Sequence, residues 1–166
     1  VMVSDAAVNI KPSEKTLKTV TETMVKSLKL LGIKTPKIAF LSASELVMEN
    51  MESTIVAQNL KEWAKENIQG AFFSGPLALD LIVSREAALK KGLENDPVAG
   101  QSHGIVVPEI VSGNTLYKSL VYFAGGCAAG IVLGAKVPVL LTSRADPPEA
   151  RLASIALASI LSDEMP

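Results

Sequence analysis

Apolar positions along this chain fall into two patterns, short continuous runs and longer stripes with a three-to-four spacing. Leu17, Val20, Met24, Leu28 and Leu31 make one such stripe. It predicts an amphipathic helix capped by Ser13 and stopped at Gly32. Residues 1–3 read as a short strand before it, and Lys37–Leu41 as a strand after it. A polar loop over 42–50 carries Glu45 and Glu49, and Ser53 is placed to cap a helix with Val56, Leu60 and Trp63 inward. Residues 71–73 form the next strand candidate, followed by a Gly75-Pro76 turn and a short helical segment reaching Asp80. Ser84 caps a further helix that ends at Gly92, and 105–107, 129–133 and 137–141 are three more strand candidates. Unbroken apolar runs suit strands covered on both faces. Strand–helix alternation at this density predicts an α/β fold, with one mostly parallel sheet and helices on both faces.

Two stretches, 108–120 and 137–146, each read as a strand that ends in a polar loop and opens a helix. In an open α/β sheet that junction is where ligands sit, because strand carboxyl ends and helix amino ends meet there. Asn114, Lys118, Ser143 and Arg144 are residue types that hold anions at such ends. The Arg144 guanidinium can grip a phosphate through two parallel hydrogen bonds, and Ser143 can donate to phosphate or to an oxyanion. The alternatives are a surface arginine and a plain turn hydroxyl. Asn114 and Lys118 are four apart and share one face of a helix beginning near Ser112. Equally, Asn114 can cap that helix while Lys118 is merely solvated. Asp146-Pro147-Pro148-Glu149 has the spacing of a capping box, with Asp at the cap, Pro first and Glu third.

Composition narrows the choices. A chain of 166 residues with 48% hydrophobic and 20% charged residues suits one folded domain. A net charge of −1 leaves no electrostatic footprint for nucleic acid or an anionic membrane, so neither is expected as a partner. Residues 120–135 are uncharged but fall short of the ~20 that span a bilayer. Cys127 stands alone in the apolar run 124–130, which predicts a buried structural thiol and no disulfide framework. His103 is the single histidine and, at a strand start, is expected to be a hydrogen-bonded structural residue. No His, Cys or carboxylate spacing points to a metal.

Several stretches together resemble the phosphate acetyl/butyryl transferase family. They are Ser4-Asp5-Ala6-Ala7-Val8-Asn9, Lys37-Ile38-Ala39-Phe40-Leu41-Ser42-Ala43, Gly75-Pro76-Leu77-Ala78-Leu79-Asp80 and Pro97-Val98-Ala99-Gly100. Gly113-Asn114 with Tyr117-Lys118, Gly134-Ala135-Lys136-Val137-Pro138 and Thr142-Ser143-Arg144-Ala145-Asp146 complete the set in family order. Gly75 to Asp80 looks more like the butyryl branch than the acetyl branch.

The resemblance implies an acyltransferase that exchanges an acyl group between acyl phosphate and coenzyme A, with inorganic phosphate as the other product. No permanently bound cofactor is implied; coenzyme A is a substrate. It further implies a cytoplasmic homodimer or larger homo-oligomer. Family members are longer, with two α/β domains around the active site. On that basis residues 1–142 are expected to form the second domain, and 143–166 the active-site loop and the helix that returns to domain one. The chain alone is then expected to be a weak catalyst. Ser143, Arg144 and Glu149 are the implied catalytic residues, and Asn114, Lys118, Asp80 and Gly113 the implied substrate-binding ones. The acetyl branch places a basic Asp at the position occupied here by Ala150, so Glu149 is preferred to Asp146 as its substitute. The competing readings are a non-catalytic module that binds coenzyme A or another anion, and a relative of the isopropylmalate and isocitrate dehydrogenases. The latter would need an aspartate cluster that this sequence does not show.

Overall fold

The computed structural model describes residues 1–142 and 147–162. Its elements in order are β1 (Met2–Ser4), α1 (Glu14–Leu30), β2 (Lys37–Leu41), α2 (Glu52–Asn67), β3 (Phe72–Leu77) and α3 (Leu79–Val83). They continue with α4 (Arg85–Lys90), β4 (Gly104–Val106), α5 (Ile110–Tyr122), β5 (Ile131–Val132), β6 (Val139–Leu140) and α6 (Pro148–Ser162). The first four strands pair in parallel in the order β1-β4-β2-β3.

Each strand of this sheet sends alternate side chains to opposite faces. Ile38 and Phe40 of β2, Phe73 of β3 and Val106 of β4 pack under Leu17, Met24 and Leu28 of α1 and Ala57, Leu60 and Ala64 of α2. Ala39, Leu77, Ile105 and Val107 face the other way, onto Leu81, Ile82, Ala88, Val98 and Ala99. Helices therefore cover both faces, as the unbroken apolar strands require. Gly104 lets α1 settle close to β4, since a Cβ there would collide with Met24 Sδ and lie 2.9 Å from Ile38 Cδ1.

Local signals were right where one residue could act alone. Ser13 accepts from Thr16 N–H at 3.2 Å and Ser84 from Ala87 N–H at 3.2 Å, and both cap their helices. Gly32 follows α1 in the left-handed region at φ 90°. Ser53, by contrast, does not cap α2. The helix starts one residue earlier, and its hydroxyl pairs instead with Ser42 Oγ at 2.8 Å. Gly75-Pro76 is no turn. The two residues lie inside β3, joined by a cis peptide, where β3 loses regular register with β2 between Ala39 and Leu41. A proline has no N–H to give a ladder, which suits an edge strand at an irregularity.

The last two strands depart from the expected single sheet. β5 and β6 pair antiparallel with each other, apart from the four parallel strands. Residues 133–138 alone connect them, whereas a parallel crossover needs roughly a dozen residues. Cys127 is exposed, not buried. It lies in irregular backbone between α5 and β5. Among the described residues no helix is long and apolar enough to cross a membrane.

Candidate functional site

Because β1, β4, β2 and β3 run parallel, the segments after them emerge side by side from one edge of the sheet. The backbone after β1 is tied into a compact knot by Asp5. Its Oδ1 accepts from the N–H groups of Ala7 (2.8 Å) and Val8 (3.0 Å). Its Oδ2 accepts from the backbone N–H of Asn9 (2.8 Å) and from Asn9 Nδ2 (2.6 Å). Burial raises the Asp5 carboxyl, but the donors of Ala7, Asn9 and Val8 outweigh it and hold the group below its ordinary value.

α5 docks against this knot. It begins at Ile110, earlier than expected, and its cap is Glu109. Glu109 accepts from Val111 N–H at 2.7 Å and Ser112 N–H at 2.8 Å, and also takes the Ser112 hydroxyl. That hydroxyl, with the two N–H groups, keeps the Glu109 carboxyl below its usual range against the opposing effect of burial. A carboxylate at a helix amino end also suits the helix dipole.

Asn114 therefore does not cap its own helix. Its Nδ2 donates to the Ala6 carbonyl at 3.1 Å, joining positions 108 residues apart. Gly113 is buried where the helix meets the knot. A Cβ there would overlap the Asp5 carbonyl oxygen and come within 3.0 Å of the Asp5 carbon and of Val107 Cγ2. Lys118, one turn further along α5, is exposed.

The remaining candidates are more scattered. Asp80 is exposed in the first turn of α3, near enough to Lys91 to raise the lysine, which is raised chiefly by its 2.8 Å pairing with Glu45. Glu149 is exposed at the start of α6. Pro147 O accepts from Ala150 N–H at 3.1 Å and the helix begins at Pro148, so Glu149 is its second residue; the Asp146 end of the expected capping box lies outside the described residues. α6 packs on β5, β6 and α1. Ser143, Arg144 and Asp146 lie outside the described residues. β6, the strand that ends at Leu140, belongs to the hairpin and not to the parallel sheet.

His103 sits at the opposite edge, before β4. Its Nδ1 accepts from Lys37 N–H at 3.1 Å, and burial first, then the Lys37 charge, lowers its pKa. A cavity of about 280 Å³ between α2 and the start of β3, lined by Lys61, Lys65, Gly70 and Asp96, is likewise remote from the carboxyl edge. Among the described residues no three His, Cys, Asp or Glu side chains gather to hold a metal ion.

Sequence reasoning gave no role to Asp5, Asn9 or Glu109. An Asp followed by Asn four residues on, and a Glu three residues before Ser112, were the available signals.

The family model described as Phosphate acetyl/butaryl transferase matches residues 1–159. A probable phosphate butyryltransferase of Bacillus subtilis is 45% identical over 98% of the chain, and a phosphate acetyltransferase of Rhizobium meliloti 42% identical over 95%. The chain covers 54% and 50% of those two proteins, about half the length of each. A crystal structure of a branched-chain phosphotransacylase from Enterococcus faecalis superposes with TM-score 0.88 at 39% identity, covering 95% of this chain and 56% of that one. A phosphotransacetylase from Streptococcus pyogenes gives TM-score 0.84 at 27% identity, over 98% and 49%.

Proposed function

We propose, since this chain belongs to the phosphate acetyl/butyryl transferase family, that it transfers an acyl group between an acyl phosphate and coenzyme A. The observation that carries the reading is the meeting of Asp5, Asn9, Gly113 and Asn114, distant in sequence, at the carboxyl edge of the parallel sheet. That edge is where open α/β sheets bind ligands.

In the forward direction the coenzyme A thiol loses its proton to a base and the thiolate attacks the acyl carbon. A C–S bond forms, the bond from that carbon to the phosphate oxygen breaks, and phosphate leaves with the electron pair. Three needs follow: a base, stabilisation of the oxyanion, and a hold on phosphate. We assign the base to Glu149, the oxyanion and phosphate to Ser143 and Arg144, and further phosphate contacts to Lys118 and Asn114. Gly113 serves by permitting the close approach of α5. Asp80 is assigned to the polar part of the substrate. Residues 1–142 act as one α/β domain, and 143–166 as the active-site loop with its following helix. A cytoplasmic homo-oligomer is the proposed assembly, supported by the exposed apolar side chains Tyr122, Phe123, Val137, Leu152 and Ile155.

The test is thioester formation from butyryl phosphate and coenzyme A by the complete gene product, with Arg144→Lys beside it. Lysine keeps the charge but loses the bidentate fork, so turnover should fall by roughly tenfold or more. Near-normal kinetics of the variant would remove Arg144 from the mechanism. Coenzyme A binding without turnover by the unaltered protein would favour a binding module.

A further inference from the structure

β3 is an outermost strand of the parallel sheet, paired with β2 along one side only. Phe72 N–H donates to Pro36 O at 2.8 Å, towards β2. Backbone polar groups alternate in direction along a strand, so the N–H and C=O of Phe73 and the C=O of Ala71 point the other way, off the edge of the sheet. This edge is not a bare rim. It floors the cavity of about 280 Å³, which has Lys61 and Lys65 of α2 on one wall and Asp96 and Pro97 on the other. The walls belong to opposite faces of the sheet. Phe73 packs under α2, whereas the Ser74 hydroxyl donates to Asp96 Oδ2 at 2.5 Å.

The groove is complementary to another extended backbone. A row of outward donors and acceptors at strand spacing is matched by a second strand, and a groove beside a sheet edge is how folded domains take up peptide segments. The charges select its side chains. Asp96 is already answered, since its Oδ1 accepts from Val98 and Ala99 N–H, both at 2.8 Å, besides the Ser74 hydroxyl on Oδ2. Lys61 shares its ammonium with Gln58 at 2.7 Å and Glu62 at 3.4 Å. Lys65 is exposed and has no ion pair among the described residues. The α2 wall therefore offers positive charge. On the opposite face Phe72 is 46% exposed on the same side of the strand as Ser74.

We propose that the open edge of β3 binds an extended segment of a partner protein by strand addition. Acidic side chains of that segment face Lys61 and Lys65, and apolar ones at the alternate positions face Phe72 and Pro97. Pro76 has no N–H to offer and ends the edge, so the added strand is short. Two copies of this chain joined edge to edge in antiparallel fashion would set lysine wall against lysine wall, which disfavours self-pairing. The site is remote from the carboxyl edge and does not rest on the acyltransferase reading.

The probe is a fluorescent peptide, Val-Glu-Val-Glu-Val with blocked ends, titrated into the complete gene product and followed by anisotropy. Beside it run a counterpart with Lys for Glu, a fully N-methylated counterpart, and the variant Lys65→Glu, whose exposed position should leave its thermal melt unchanged. The glutamate peptide should bind. N-methylation removes its backbone donors and should weaken binding roughly tenfold or more. The lysine peptide should bind more weakly, and Lys65→Glu should weaken the glutamate peptide roughly threefold. No binding at millimolar peptide, equal binding of the N-methylated form, or indifference to Lys65→Glu each overturns the proposal. So does a peptide that binds only by splitting an oligomer, because a second copy then holds the edge.

Discussion

Replacing Gly113 with alanine sets two known effects against each other. Gly113 is the fourth residue of α5, and inside a helix Gly→Ala by itself stabilises by about 1 kcal/mol. The added Cβ, however, would overlap the Asp5 carbonyl oxygen and press on Val107 Cγ2 at 3.0 Å. Overpacking costs roughly 1–3 kcal/mol, and the obstruction here is backbone. That backbone cannot yield cheaply, because the Asp5 carboxylate binds it to Ala7, Val8 and Asn9. If α5 backs away instead, the Asn114–Ala6 hydrogen bond goes, at about 1 kcal/mol. Overpacking should win, with a net loss of about 2 kcal/mol, or a melting temperature lower by roughly 4–8 °C for a chain of this size. Thr115→Ala, two residues on and exposed, is the control and should stabilise by a few tenths. Urea and thermal unfolding of the three proteins measure this. A Gly113→Ala variant that gains stability like the control would refute the close approach of helix and knot.

Asp5→Asn should lower stability by about 1–2 kcal/mol, since the amide presents only one acceptor to the donors of Ala7, Val8 and Asn9; urea midpoints that do not move would contradict the knot. Asp5 and Glu109 both have lowered pKa values when folded, so their contribution is complete above the ordinary carboxylate range near ~4 and is lost as pH falls through the folded values. Urea midpoints from pH 6 to 2 should show that acid loss, and Asp5→Asn should shrink it. His103 is also lowered, so the folded state holds it neutral while the unfolded chain takes up a proton below pH ~6.5. Stability should therefore decline as pH drops through that value, and the decline should vanish in His103→Gln.

The parallel sheet and its helices were legible because burial on both faces leaves unbroken apolar strands, and because Ser13, Ser84 and Gly32 mark helix ends through contacts within a few residues. What was illegible depended on distant partners. Ser53 looks like a cap, but its hydroxyl is taken by Ser42, on the far side of a loop. Asn114 also looks like a cap, until Glu109 is seen to reach the same helix end and free it for Ala6. The apolar runs at 129–133 and 137–141 resemble buried strands, and only the shortness of the connection turns them into a hairpin.

The Asp5 knot also constrains where an anion can be held. Successive backbone N–H groups in a turn make a natural phosphate cradle, and Ala7, Val8 and Asn9 present such a set. Here Asp5 already fills it with its own carboxylate. A phosphate brought to those donors would have to displace a covalently tethered anion and would meet its negative charge. The knot is therefore a platform for α5 and not itself the phosphate site. Positive charge at this edge has to come from side chains beyond the knot. Lys118, exposed one turn along α5 from Asn114, is one such group. Were Arg144 to hold phosphate as proposed above, its replacement should cost steeply, because the backbone donors that would otherwise share the load are already occupied.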